Sequence, residues 1–83
     1  MMDQTLTIFR KFKEGEIIAL FPEMREPHGL CMSYMHLGQH GSADYGIIRI
    51  TKPATPEEYS DLKTELESIG YNLKIRRKWV RSR

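Results

Sequence analysis

The sequence predicts an α+β protein: an antiparallel sheet of about five strands, in the chain order β-β-β-β-α-β, with one helix packed on one face. Three observations lead to this fold class. Four short runs of alternating or continuous apolar residues precede residue 53. One amphipathic helix follows, with recognisable start and stop signals. A last alternating run then closes the chain.

The first two apolar runs predict two strands and a loop. Residues 5–12 alternate apolar and polar side chains, which is typical of a strand with one buried face. Residues 16–21 are continuously apolar after the first position, as in a strand covered on both faces. Pro22 is expected to end that strand, and residues 23–29, with a second proline and a glycine, are expected to form a loop.

The middle of the chain predicts a third and a fourth strand. Residues 30–36 again alternate, so we expect a strand there. Residues 37–46 contain three glycines and several polar side chains, which favours a loop. Residues 47–52 return to β-favouring apolar residues and are expected to form a strand that ends at Pro53.

The helix is predicted by its termini. Thr55 and Glu58 have the spacing of a capping box, and Pro56 lies at the first helical position, where its missing N–H costs nothing. Gly70 is a stop signal. Four residues at spacings of three and four are expected to share the buried stripe: Tyr59, Leu62, Leu66 and Ile69.

The final strand is predicted over residues 71–80, and it leaves a question about the sheet. One helix covers one sheet face, so the opposite face needs another explanation. We expect that face either to be polar and solvated or to be covered by a second subunit. The residues expected on it are Phe9, Arg49, Lys74, Arg76 and part of 17–21.

Length and composition limit the possible functions. The chain has 83 residues, of which 40% are hydrophobic and 29% charged. This predicts a single domain over residues 1–83, with 81–83 as a frayed basic tail. A doubly wound nucleotide-binding sheet needs more chain than this.

Cysteine content and hydropathy predict the compartment. Cys31 is the single cysteine, so an intrachain disulfide is excluded and a reducing environment is expected. No apolar run approaches the roughly 20 residues that span a bilayer. Asp3 stands where a signal peptide has a positive charge. We therefore expect a cytoplasmic protein without a membrane partner.

Charge is divided unevenly along the chain. Residues 74–83 carry six Lys and Arg and no acid, whereas residues 1–73 carry seven Lys and Arg and all 11 acids. Such asymmetry is typical of proteins with a polyanionic partner, although a solvated basic tail has the same composition. Trp79 or Phe9 is expected to offer a stacking surface beside these cations. The candidate nucleic-acid contacts are Lys74, Arg76, Lys78, Arg81 and Arg83.

A metal or thiol site is a further hypothesis, because zinc binds the side chains of cysteine, histidine and aspartate. The weak candidate ligands are Cys31, His36, His40 and Asp44. The glycines around His40 disfavour the helix that an H-x3-H pair needs. A regular strand places Cys31 and His36 on opposite faces, and a cysteine between apolar neighbours usually behaves as an inert hydrophobe. No metal or other cofactor is favoured.

The polar loop predicted at 37–46 is the other candidate contact region. It lacks the phosphate-binding pattern G-x-x-x-x-G-K-[ST] and leads into a strand, so nucleotide binding is not indicated. Its side chains either contact a ligand or partner, or close the connection internally. The candidate residues are His36, Gln39, His40, Ser42 and Asp44.

Four segments of the chain resemble a known family: residues 17–22, 31–41, 53–59 and 68–71. They are similar to a family of short, functionally uncharacterised bacterial and mobile-element proteins with the motif CMSYxHxGQH. The resemblance covers most of residues 16–75 and implies a compact single domain. It implies no activity, cofactor or site residue.

Together these observations predict a small non-enzymatic binding module. The first hypothesis is a protein partner or self-association, motivated by the sheet face without a cover. The first alternative is nucleic-acid binding through the basic C-terminal strand and tail. The second alternative is the metal or thiol site described above.

Overall fold

The computed structural model describes residues 4–26, 30–35 and 39–77. Within these residues six strands form one sheet in the order β4-β3-β2-β1-β5, and β6 also pairs with β1. The elements are β1 (Thr5–Phe12), β2 (Ile17–Glu26), β3 (Leu30–Met35), β4 (Gln39–Asp44), a 3₁₀ helix (Tyr45–Ile50), β5 (Thr51–Pro53), α1 (Pro56–Ser68) and β6 (Leu73–Ile75).

The predicted α+β class is confirmed. Strands β1 to β5 pair antiparallel with their neighbours, and α1 packs on one face of the sheet. β6 is the exception, because it runs parallel to β1 with Thr5 opposite Leu73 and Thr7 opposite Ile75. β5 pairs with β1 further along, from Arg10 to Phe12. β5 and β6 therefore share one edge of the sheet, end to end.

The helix begins and ends where its sequence signals predict. Thr55 accepts a hydrogen bond from the N–H of Glu58, and the Glu58 carboxylate accepts one from the N–H of Thr55. Gly70 has a φ of +110°, in the left-handed region that glycine adopts without strain. Ile69 was expected in the buried stripe, but it caps the helix and is 53% exposed. The stripe ends with Leu66 because α1 ends at Ser68.

The core lies mainly between α1 and the sheet. Phe9 is buried there and stacks on Tyr59, with ring centroids 4.3 Å apart. The expectation that Phe9 lies on the opposite face is therefore wrong. The cause is the strand alternation: the even positions of β1, and not Phe9, face away from the helix. The other buried members of this cluster are Ala19, Phe21, Tyr34, Ala54, Leu62 and Leu66.

The opposite face of the sheet is buried as well, which corrects the expectation of an uncovered face. Ile18, Leu20, Cys31 and Ala43 form a second cluster, and each is at most 6% exposed. Ile47 and Ile48 of the 3₁₀ helix pack against it. The 3₁₀ helix takes the place of most of the fourth strand predicted over 47–52, of which only Thr51 and Lys52 are extended, as part of β5. A short helix that returns over the sheet was not visible in the apolar pattern.

Pro22 does not end β2, which continues to Glu26. The β2–β3 register shifts between Phe21 and Arg25, and Pro22 lies inside this irregularity. A proline is tolerated at a bulge because no ladder hydrogen bond is needed from its nitrogen. The predicted loop at 23–29 is therefore wrong for residues 23–26, and residues 27–29 lie outside the described part.

The predicted loop at 37–46 contains a strand. Residues 39–44 form β4, which pairs antiparallel with β3 along its whole length. The Ser33 hydroxyl adds a hydrogen bond of 2.9 Å to the carbonyl of Gly41. Composition indicated a loop, but pairing with β3 satisfies the backbone despite the glycine and polar residues. β3 agrees with its prediction through Met35, and His36 lies outside the described residues.

The last strand is shorter than predicted. β6 covers Leu73–Ile75, within the predicted range 71–80, and residues 78–80 lie outside the described part. β6 pairs in register with the three β1 residues Thr5–Thr7. Among the described residues, no helix is both long enough and apolar enough to cross a membrane.

Candidate functional site

A basic groove lies where β1 turns into β2 and the 3₁₀ helix leads into β5. Its volume is about 660 Å³. Four of the lining residues carry a positive charge and one carries a negative charge. The lining residues are Lys11, Phe12, Lys13, Glu14, Arg49, Ile50, Thr51 and Lys52.

The groove is built by strand pairing and by a tight turn. Lys11 and Lys52 are directly opposite each other in the antiparallel β1–β5 register. Lys13 lies in the turn after β1, which the N–H of Gly15 closes with a 2.9 Å hydrogen bond to the carbonyl of Phe12. Gly15 has a φ of +102°, so the turn needs a residue that tolerates the left-handed region. Arg49, from the 3₁₀ helix, is the fourth cation that lines the groove.

Among the described residues, only one of the four cations is paired with a carboxylate. Lys11 donates a hydrogen bond to Oε2 of Glu58, and Oε1 of the same carboxylate accepts from the N–H of Thr55 at 2.9 Å. The hydrogen bond from Lys11, followed by that from Thr55, lowers the pKa of Glu58 to about 2. Glu58 is therefore ionised throughout the neutral range, and it joins the start of α1 to β1.

The other three cations have no such partner in the described part of the chain. Among the described residues, no carboxylate lies within 4 Å of the charged nitrogens of Lys13, Arg49 or Lys52. All three residues are exposed. Glu14 is the single acid in the lining, and it is exposed on the same turn. The groove therefore keeps a net positive charge toward solvent.

A buried arginine supports one wall of the groove. Arg10 is 6% exposed, and its guanidinium donates to Oγ1 of Thr51 at 3.0 Å, to the carbonyl of Thr51 at 2.6 Å and to the carbonyl of Ile48 at 3.0 Å. Thr51 in turn donates to the carbonyl of Ile47 at 2.8 Å. Burial lowers the pKa of Arg10, yet a guanidinium stays charged in proteins. These bonds tie the 3₁₀ helix and β5 to β1, and so fix the groove's shape.

Two of the predicted nucleic-acid contacts are described, and they lie outside the groove, further along the same edge of the sheet. Lys74 is exposed on β6, and Arg76 follows β6 with its N–H bonded to the carbonyl of Thr7 at 2.9 Å. Arg77 is exposed beside it. The remaining candidates lie outside the described residues: Lys78, Arg81 and Arg83.

The histidine-rich candidates are only partly described. His36 lies outside the described residues, and Gln39, His40, Ser42 and Asp44 are described as backbone positions of β4. In the β3–β4 register, His40 is opposite Tyr34, which is three residues after Cys31 on β3. Cys31 and His40 are therefore separated by about 10 Å along the strand direction. Cys31 is 1% exposed, and burial raises the pKa of its thiol, which favours the unreactive protonated form. In the part of the chain that the structure describes, no three metal-ligating side chains gather.

The sequence did not predict the groove, although Arg49 was among the residues expected on the sheet face opposite the helix. The groove depends on the pairing of Lys11 with Lys52, 41 positions apart in the chain. The available signal was local: two lysines flank Phe12 just before the Glu14–Gly15 turn. Nothing in the composition of residues 49–52 indicated that they return to that turn.

No protein-family model, no curated protein and no solved structure matches this chain. The resemblance to short bacterial and mobile-element proteins therefore stays a prediction. The functional argument depends on the groove itself, whose ammonium and guanidinium groups are the protein groups that bind phosphate and carboxylate.

Proposed function

We propose that this protein is a small non-enzymatic module that binds nucleic acid, with the phosphate backbone in the basic groove. One observation carries the proposal. Lys13, Arg49 and Lys52 come from a turn, a 3₁₀ helix and a strand, and they meet in one groove without a carboxylate partner among the described residues. Separate segments that each bring an unneutralised cation to one place favour an anionic ligand.

The pairing of two lysines supports this reading. Like charges directly opposite each other across two strands are destabilising. Glu58 relieves the repulsion at Lys11, but Lys52 stays exposed and unpaired among the described residues. A phosphate near Lys52 removes the remaining repulsion, so the bound anion stabilises the paired strands.

The negative charge of α1 supports the groove as the place where nucleic acid binds. Five acids and one lysine lie on α1, so that side of the molecule repels a polyanion. The groove adjoins the first turn of α1, where its Lys11 pairs with Glu58. The opposed charges are expected to orient an approaching polyanion toward the groove.

A polymer is favoured over a single small anion because the cations continue beyond the groove. β5 and β6 both pair with the same side of β1, so the exposed Arg76 and Arg77, which follow β6, lie along the same sheet edge as Lys52. A spread of charge over two strands suits a chain of phosphates, whose binding releases one counterion for each phosphate neutralised.

Fluorescence anisotropy with a labelled oligonucleotide at low salt tests the proposal. We expect binding that weakens as salt is added, and Lys52→Gln is expected to reduce both the affinity and the salt dependence. Lys63→Gln is the matched control, because it removes the same charge from the side of α1, where Lys63 pairs with Glu67 at 3.7 Å. Equal effects of the two variants, or an absence of binding, would contradict the proposal.

Protein binding or self-association is a second candidate, now favoured by a different observation. β4 is the edge of the sheet, and in the described part of the chain it pairs only with β3. An edge strand presents unpaired N–H and C=O groups to which another strand can add. Sedimentation equilibrium tests self-association: a concentration-dependent dimer supports it, and a monomer at high micromolar concentration contradicts it.

A further inference from the structure

A second, smaller cavity lies on the same sheet edge, between the start of α1 and the end of β6. Its volume is about 200 Å³. The floor is largely aromatic and apolar, and the rim carries two arginines. The lining residues are Phe9, Ala54, Thr55, Pro56, Tyr59, Ile75, Arg76 and Arg77.

We infer that this cavity receives an unstacked nucleobase, so that the nucleic acid bound by the protein is single-stranded. The inference rests on the proposed function and specifies its ligand class. The cavity is below the 300–1,000 Å³ typical of sites for drug-sized molecules, which suits one ring system better than a whole nucleotide.

The aromatic floor is fixed in place. Tyr59 stacks on the buried Phe9 with an angle of 11° between the rings, and Tyr59 itself is half-buried at the cavity wall. A ring held in this way loses little conformational entropy when a base stacks on it. Stacking of a base on an aromatic side chain tolerates any base, since each has a flat π-face.

The rim of the cavity carries positive charge that suits the phosphate of a bound nucleotide. Arg76 and Arg77 are exposed, and among the described residues neither is paired with a carboxylate. A base in the cavity brings its own phosphate to within reach of these guanidinium groups, which bind phosphate in a bidentate way.

The cavity and the groove are close enough to act on one strand. Phe9 and Ala54 line the cavity, while Lys11 and Lys52 line the groove. Lys11 is two residues after Phe9 on β1, and Lys52 on β5 is two residues before Ala54, which follows that strand. Two residues of a strand span about 7 Å. A single strand whose backbone crosses the groove therefore has a neighbouring base at the cavity, whereas a duplex keeps its bases stacked inside.

The test compares single-stranded and duplex oligonucleotides of one length by anisotropy at one salt concentration. We expect the single strand to bind more tightly, and a single strand of abasic sugar-phosphate units to lose roughly tenfold in affinity. Tyr59→Leu is expected to produce the same loss for the normal single strand and no change for the duplex. Tyr59→Phe keeps the ring and is expected to behave as the wild type.

The outcomes separate this inference from the proposed function. If single strand, duplex and abasic strand bind the wild type equally, the base cavity is refuted while the groove remains supported. If none of them binds, the proposed function is refuted and the base cavity with it. The abasic comparison uses the wild-type protein, so a folding defect of Tyr59→Leu does not affect it.

Discussion

Lys11 and Lys52 are directly opposite each other across β1 and β5, yet among the described residues only Lys11 is paired with a carboxylate, that of Glu58. The same Glu58 closes the capping box of α1. One carboxylate therefore joins the helix start to the strand that lines the groove, and it leaves the second lysine charged and exposed.

Replacing Lys52 with an uncharged residue is expected to stabilise the folded protein while it weakens nucleic-acid binding. Lys52→Thr removes the cross-strand repulsion and introduces a β-favouring residue, so the free energy of unfolding should rise by about 0.2–1 kcal/mol. Urea unfolding measures it, and Lys52→Arg is the control that keeps the charge. A variant less stable than the wild type would show that the lysine pair carries no strain.

Acid is expected to destabilise the protein through Glu58. Its pKa is about 2 in the folded state, below the ordinary value of 4.5. A carboxyl with a lowered folded-state pKa stabilises the protein above its unfolded pKa, and this stability is lost as pH falls from about 4.5 toward 2. Urea unfolding at several pH values measures the loss.

Glu58→Gln is the comparison for that experiment. The variant should be less stable at neutral pH and should lose less stability between pH 5 and 2 than the wild type. Glu57→Gln is a matched control, because Glu57 is the exposed neighbour on the same helical turn. If Glu58→Gln and the wild type have the same pH profile, Glu58 does not contribute in this way.

Arg10 is expected to maintain the 3₁₀ helix and β5. Arg10→Met keeps an unbranched apolar stem but leaves the carbonyls of Ile48 and Thr51 without their donor. Loss of buried hydrogen bonds to a charged group should lower the free energy of unfolding by about 1–3 kcal/mol. Arg49→Met is the control on the exposed side of the same segment, with an expected change within about 0.5 kcal/mol. Similar unfolding midpoints for the two variants would contradict this role.

The N-cap of α1 offers a further test of stability. Thr55→Ala removes the oxygen that accepts from the N–H of Glu58 at 3.2 Å, and it should cost about 1 kcal/mol. Thr64→Ala is the control, because Thr64 is exposed within the helix and alanine is the better helix former there. Thermal unfolding of both variants is sufficient, and an unchanged midpoint for Thr55→Ala would contradict the capping role.

The helix was predictable because its signals are local. Thr55, Pro56, Glu58 and Gly70 act within their own turns, so neighbouring residues alone determine where α1 begins and ends. β1 was predictable for the same reason, since its alternation agrees with its observed bounds.

The predictions that failed depended on contacts distant in the chain. Residues 45–50 form a 3₁₀ helix whose carbonyl at Ile48 accepts from Arg10, a residue of the first strand. β4 is extended because β3 pairs with it, although its composition favours a loop. The candidate groove needs the Lys11–Lys52 register, which no local pattern contains. The sequence predicted a basic C-terminal segment as the nucleic-acid contact, but it did not predict the groove at Lys11 and Lys52.

The salt dependence of oligonucleotide binding tests the central claim most directly. The test compares the wild type with a variant that combines Lys13→Gln, Arg49→Gln and Lys52→Gln. The affinity of each is measured between about 20 and 200 mM salt, the range in which phosphate contacts are lost. Each neutralised phosphate contributes a slope of about 0.7 to 0.9 in the logarithmic plot, so three lost contacts should flatten it by about 2 to 3. A slope unchanged from that of the wild type, with a folded variant, would contradict the assignment of this groove as the nucleic-acid site.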